Sequence, residues 1–216
     1  RVCQVATDSQ VAAESLEDRT LLSSTFTPAL GETADIIGRN ANSGTVVVAK
    51  SNGTGFTNQA SGVVPAGADW NDLVTGDFNG DGLTDLAGRS PSDGYWRVLL
   101  NTGTGLAPAA LSGRWSTNVS FSDILVGDFN KDGLDDVAGR ASTGTWVVGL
   151  SNGSQFTSKS FGAWSTTAGY SNLFVGDFNG DGRADIAGLS SGGSWVVGLS
   201  LGHRFDTTVF KNWSTT

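Results

Sequence analysis

Three stretches of this chain carry oxygen-bearing residues at a spacing that could enclose a metal ion. GDFNGDGLTDLAGR begins at Gly76, GDFNKDGLDDVAGR at Gly127 and GDFNGDGRADIAGL at Gly176. Within each, the residues read D-x-N-x-D-G-x-x-D. In the first, Asp77, Asn79 and Asp81 alternate, so their oxygens can converge as the chain curls. Gly82 permits the sharp bend, Leu83 offers its backbone carbonyl, and Asp85 closes the cage from the start of the next strand. The same roles fall to Asp128, Asn130, Asp132, Leu134 and Asp136, and then to Asp177, Asn179, Asp181, Arg183 and Asp185. About six or seven hard oxygens held in a tight turn is the chemistry of Ca2+. The loops at 77–85, 128–136 and 177–185 are therefore each expected to bind one Ca2+. Leu83, Leu134 and Arg183 are dissimilar, as befits positions that would contribute only a carbonyl. An EF-hand would need a glutamate at its twelfth position and flanking helices. Gly88, Gly139 and Gly188 stand there instead.

Charge points the same way. The net charge is −8, and ten of the 21 acidic residues fall inside those three nine-residue windows. The rest of the chain is near neutral, so the acidity is local rather than a diffuse solubilising surface. Three Ca2+ ions would bring the total to about −2. The single Cys3 excludes a disulfide framework within the chain, and the single His203 excludes a two-histidine metal site. No basic footprint for nucleic acid is present, and no run of apolar residues is long enough to span a membrane as a helix.

The elements that must position the loops are legible as a repeat. The three copies begin 51 and 49 residues apart. Each continues into a turn, a tryptophan strand (YWRVLL, TWVVGL or SWVVGL), a second glycine-bearing turn, and a stretch ending in Trp115, Trp164 or Trp213. A fourth, decayed copy precedes them, with ADIIGR at 34–39, TVVVAK at 45–50 and SNGTGF at 51–56. Each repeat holds about four short apolar runs punctuated by turns, too short for helices. WVVGL at 146–150 is apolar at both parities, as a strand covered on both faces must be. Four strands per repeat, stacked radially, predict an all-β protein: a β-propeller of about four blades, each a four-stranded antiparallel sheet. The blades are expected near 22–70, 71–120, 121–169 and 170–216, with the propeller region as a whole at 25–216. The recurring Ala87-Gly88, Ala138-Gly139 and Ala187-Gly188 would let the next blade approach closely near the axis.

The sequence resembles the FG-GAP (VCBS-like) repeats of integrin-type propellers over about residues 25–216, through its GDFNGDGxxDIAG core. The resemblance implies a Ca2+ cage between the first two strands of a blade and a recognition role, usually extracellular. The first blade departs from the pattern: 27–35 reads TPALGETAD and keeps only Asp35, so no metal is expected there. Residues 1–24 do not fit the repeat and form an export-associated or linker segment. Within it, Ser15-Leu16-Glu17-Asp18-Arg19-Thr20-Leu21-Leu22-Ser23 resembles the LEPR-x-LL segment of some bacterial surface and secreted proteins, with Asp18 in place of the proline. That likeness implies an extracellular or cell-surface location.

Other signals are weighed and set aside. Gly188-Leu189-Ser190-Ser191-Gly192 matches G-x-S-x-G, but a nucleophile elbow needs a helix to follow, and this segment aligns with hairpin turns. The sequons at Asn52, Asn118, Asn152 and Asn212 are partly the SNG turn recurring. His203 reads as a solvated turn residue, and Arg39, Arg89 and Arg140 as partners of nearby carboxylates. Trp96, Trp146 and Trp195 recur at one strand position and read as inter-blade core, whereas Trp115, Trp164 and Trp213 are the better candidates for exposure. No constellation of acid, base and nucleophile stands out, so the chain is not expected to be an enzyme. It reads as a recognition or adhesion module for a protein or glycan ligand, or as an accessory domain of a larger extracellular enzyme. The blades are further expected to form an open arc, exposing apolar faces at both ends.

Overall fold

The computed structural model describes residues 19–22, 36–40, 44–63, 70–109 and 112–212. The expectations for Cys3, for the loop at 27–35 and for Trp213 lie outside those residues. No helix occurs among the described residues, and the strands gather into four antiparallel sheets. The first blade holds β1 (Arg19–Leu22), β2 (Ile36–Asn40), β3 (Thr45–Ser51) and β4 (Phe56–Val63). The second holds β5 (Asp72–Gly76), β6 (Asp85–Arg89), β7 (Tyr95–Asn101), β8 (Leu106–Pro108) and β9 (Ser112–Arg114), the last two both pairing with β7. The third runs β10 (Phe121–Gly127), β11 (Asp136–Ala141), β12 (Thr145–Ser151) and β13 (Phe156–Ala163). The fourth runs β14 (Tyr170–Gly176), β15 (Asp185–Ser190), β16 (Ser194–Ser200) and β17 (Phe205–Asn212). Each sheet is a meander whose neighbours in space are neighbours in sequence, except that in the second β9 returns to pair with β7 beside β8. This is a β-propeller architecture.

β1 lies inside the segment read from sequence as preceding the propeller. Arg19–Leu22 pairs with Ile37–Asn40 and supplies the inner strand that a four-stranded blade requires. Burial follows position in the blade. All five residues of β6 are buried, and β11 is nearly so, because neighbouring blades cover both faces. The outer strand β13 is mostly exposed apart from Phe156 and Phe161.

The closing tryptophans depart from the sequence reading. Trp115 is 2% exposed and Trp164 is 4% exposed. Each lies under the following blade: a Cβ added to Gly139 would stand 2.6 Å from the Trp115 ring, and one added to Gly188 would stand 3.1 Å from the Trp164 ring. The Ala-Gly pair is therefore the seat of the preceding blade's indole, not a point of backbone approach near the axis. Trp96 and Trp146 are fully buried, as inter-blade core should be, and meet Trp115 and Trp164 edge to face at 5.1 and 5.3 Å.

Aromatic side chains also lock blade to blade. Phe156 of the third blade inserts between Phe78 and Trp96 of the second, with ring centroids 5.3 and 6.2 Å away. Phe205 of the fourth inserts between Phe129 and Trp146 of the third, at 5.7 and 6.3 Å. Arg89 pairs with Asp72 (2.6 Å) and lies over the Phe121 ring, while Arg140 pairs with Asp123 (2.7 Å) and lies over Tyr170. These arginines do neutralise carboxylates, and each also reaches the next blade. The inner strands β1, β5, β10 and β14 pack in succession, and β4–β8, β9–β13 and β13–β17 do the same farther out. Among the described residues no comparable packing joins the fourth blade to the first. Over the described residues the blades form an open row.

Candidate metal centres

Each loop hangs between the first and second strands of its blade and folds around its own leading aspartate. Asp77 Oδ1 accepts from the Gly80 and Asp81 N–H groups (2.7 and 3.2 Å), and its Oδ2 from Gly82 N–H (2.8 Å). Asp81 accepts from Leu83 N–H at 2.8 Å and from the Asn79 side-chain amide at 2.9 Å. Asp128 and Asp132 repeat this arrangement, as do Asp177 and Asp181. Short polar side chains that satisfy nearby backbone donors are what hold such turns in place of regular structure.

The last aspartate of each loop is different in kind. Asp85, Asp136 and Asp185 are fully buried at the start of β6, β11 and β15. Asp85 accepts from Phe78 N–H (3.1 Å) and Asn101 N–H (2.8 Å), so it ties the loop to the far end of β7. Asp136 does the same through Phe129 and Ser151, and Asp185 through Phe178 and Ser200. None of the three forms an ion pair with a basic side chain among the described residues. Burial pushes the Asp85 carboxyl up to about 7 and that of Asp136 up to about 8, and two loop carboxylates beside each add to the rise. Asp185 is raised for the same reasons.

This donor set is all hard oxygen, and a buried carboxylate lacking a cation beside two further carboxylates suits a divalent ion. Among the described residues, however, no three acidic, histidine or cysteine side chains converge on one point. Their oxygens face backbone N–H groups, so Asp77, Asn79 and Asp81, with their counterparts, would have to turn part of their oxygen towards an ion. Every loop residue named from the sequence is present in these turns, and Leu83, Leu134 and Arg183 occupy equivalent places.

Two features escaped the sequence reading. The loops are not internal to their blades: Asp135 N–H donates to Asp77 O (2.9 Å), and Ala184 N–H donates to Asp128 O (2.7 Å). Ser151 and Ser200 hydroxyls likewise donate to the Phe78 and Phe129 carbonyls of the preceding loops, both at 2.6 Å. The third loop also carries built-in cations. The Arg183 side chain pairs with Asp181 at 3.1 Å, and the Lys131 ammonium crosses from the neighbouring blade to the Asp181 carbonyl. Lys131 has φ 66° where Gly80 and Gly180 each have 79°. An L-residue in this left-handed region costs about 1–2 kcal/mol. Backbone hydrogen bonds, chiefly from Gly182 and Arg183 N–H, hold Asp177 and Asp181 below the usual carboxylate range.

Where the inner strands meet the loops, a cavity of about 310 Å³ is lined by Thr75, Val126, Asp135, Val175 and Arg183 among others. Asp135 accepts from Asp77 N–H at 2.8 Å across the blade boundary. Ser190 closes the β15–β16 turn by donating to Ser194 O and accepting from Ser194 N–H. It ends a strand that leads into a hairpin, not a helix.

Meander blades stacked in a row, each with an aspartate-rich loop between its first two strands, define a propeller-repeat protein. A sequence model of the FG-GAP-like repeat matches residues 32–88, 77–139 and 128–188, together most of the chain. The chain belongs to the FG-GAP-like repeat family. No curated protein matches it.

Proposed function

We propose that this chain is a calcium-stabilised recognition module of a secreted or cell-surface protein. The reading rests chiefly on Asp85, Asp136 and Asp185, three buried carboxylates without basic partners among the described residues, each beside two more acids. An ion at each loop would be held by Asp77, Asn79, Asp81, Leu83 O and Asp85, or by the equivalent residues. It would supply the positive charge that relieves carboxylate crowding and would cross-tie the first two strands of the blade. FG-GAP repeats form propeller-type recognition and adhesion modules, generally non-catalytic and typical of extracellular or surface proteins. That supports an extracellular setting and a protein or glycan as the partner.

Thermal melts with Ca2+ and with chelator test the reading. Linkage gives about 2.7 kcal/mol per site at a hundredfold excess over the dissociation constant. The melting temperature should rise with Ca2+, and elemental analysis should find up to three ions per chain. An unchanged melting temperature with no bound calcium would overturn it. A glycan array probed with the calcium-loaded chain then addresses the partner class.

A further inference from the structure

The repeats break their own pattern in a few places, and the polar breaks gather at one cavity. This is the space of about 310 Å³ where the inner strands meet the loops, lined by described residues of the second, third and fourth blades. The residue before each leading glycine is Val126 or Val175 in two blades and Thr75 in the second. The residue before each closing aspartate is Thr84, Asp135 and Ala184 in turn. The fold demands nothing polar at these positions, since valine and alanine fill them in neighbouring blades.

Asp135 is the break with the largest consequence. Its Oδ2 accepts from Asp77 N–H at 2.8 Å and is seated against Gly76, where an added Cβ would stand 2.8 Å from that oxygen. Among the described residues no basic side chain pairs with it. Thr75 lines the same cavity and is 5% exposed, and its hydroxyl has no hydrogen-bond partner among the described residues. The nearby cations are spent on the fourth-blade side: Arg183 pairs with Asp181 at 3.1 Å, and the Lys131 ammonium donates to the Asp181 carbonyl. The cavity thus keeps a carboxylate without a counter-charge, threonine hydroxyls and valine walls. A charge held away from bulk water is costly until an opposite charge meets it.

We infer that this cavity binds a small organic cation, a primary ammonium on a short alkyl stem, with the ammonium at Asp135 and Thr84 and the stem against Val126 and Val175. An ammonium carries three donors and no acceptor, which matches carboxylate and hydroxyl oxygens. The volume lies at the small end of ligand pockets, about 300–1,000 Å³. Thr84 and Asp135 are only partly buried, so the site is open to solvent. The inference does not rest on the calcium reading, because Asp135 belongs to none of the three ion sets.

Amide NMR on the full chain at fixed Ca2+, titrated with n-butylammonium, tests this. The Gly76, Gly127 and Gly176 amides, which line the cavity, should shift saturably. The neutral 1-butanol and the anionic butyrate should leave them unmoved at the same concentrations. Asp135→Asn keeps an acceptor for Asp77 N–H and removes the charge, so binding should weaken by about tenfold or more. Asp135→Ala installs the residue that the fourth blade carries at 184, and should weaken binding likewise with the thermal melt preserved; it serves if asparagine perturbs the fold. No saturable shift, equal shifts with 1-butanol, or undiminished affinity in these variants would each overturn the inference. So would K+ alone shifting the same glycines and displacing the amine.

Discussion

Asp85 and Asp136 are carboxylates removed from water and hydrogen-bonded to backbone N–H groups, and this has a pH signature. Burial, with the neighbouring loop carboxylates, raises them from 3.8 to about 7 and about 8. The folded chain thus holds protons that the unfolded chain has released. Their favourable contribution is complete below the unfolded value and is lost as pH rises through the folded values. In chelator, the melting temperature should therefore fall between about pH 5 and pH 8, and saturating Ca2+ should flatten that fall because the ion takes the proton's place. A chelated protein whose stability climbs across this window would contradict the assignment. Lys131 supplies a second test at this scale. Lys131→Gly relieves a left-handed lysine worth about 1–2 kcal/mol and withdraws a cation from Asp181. Calorimetric titration should show tighter Ca2+ binding at the 177–185 loop in this variant, and unchanged affinity would show that the ammonium does not compete with the ion.

Strand β11 illustrates how an element is constrained by its neighbour. Gly139 is flanked by Ala138 and Arg140 in a strand buried on both faces, and its missing Cβ leaves room for the Trp115 ring. A Cβ there would also stand 2.8 Å from Ile124 Cδ1, a flexible side-chain end that can give, so the rigid Trp115 ring is the neighbour that resists it. Gly139→Ala should cost about 1–3 kcal/mol by overpacking, and Trp115→Ala about 3–5 kcal/mol by the void it leaves. The double variant should lose less than the sum, since removing the indole opens space for the methyl. Denaturant titration of the three variants measures this, and strict additivity would mean that the two residues do not share the contact.

Over the whole molecule, the loops form a chain of neighbours. Asp135 and Ala184 bond to the loop before them, and Lys131 reaches the loop after it. Rows of repeats couple mainly through nearest-neighbour interfaces. Asp132→Ala should remove one ion and leave the other two loops occupied, with any change in affinity greatest at 177–185, which Lys131 touches. Titration calorimetry should count two ions instead of three. Loss of all binding together would show that the loops act as a single cooperative unit.

The sequence by itself determined the elements. Glycine-bounded apolar runs at a period of about fifty residues point to stacked four-stranded blades, because strands apolar at both parities need cover on both faces, which neighbouring blades supply. Recurrence at one strand position placed Trp96 and Trp146 in the core, and the spacing of the aspartates defined the loops. What crosses from blade to blade was decided only by tertiary structure. Trp115 and Trp164 end their repeats in sequence and so read as peripheral, yet the following blade covers them. Lys131 touches a loop some fifty residues away, and nothing in its own repeat announces that contact. Local pattern reports the faces a strand must hide; which surface hides them depends on the next blade.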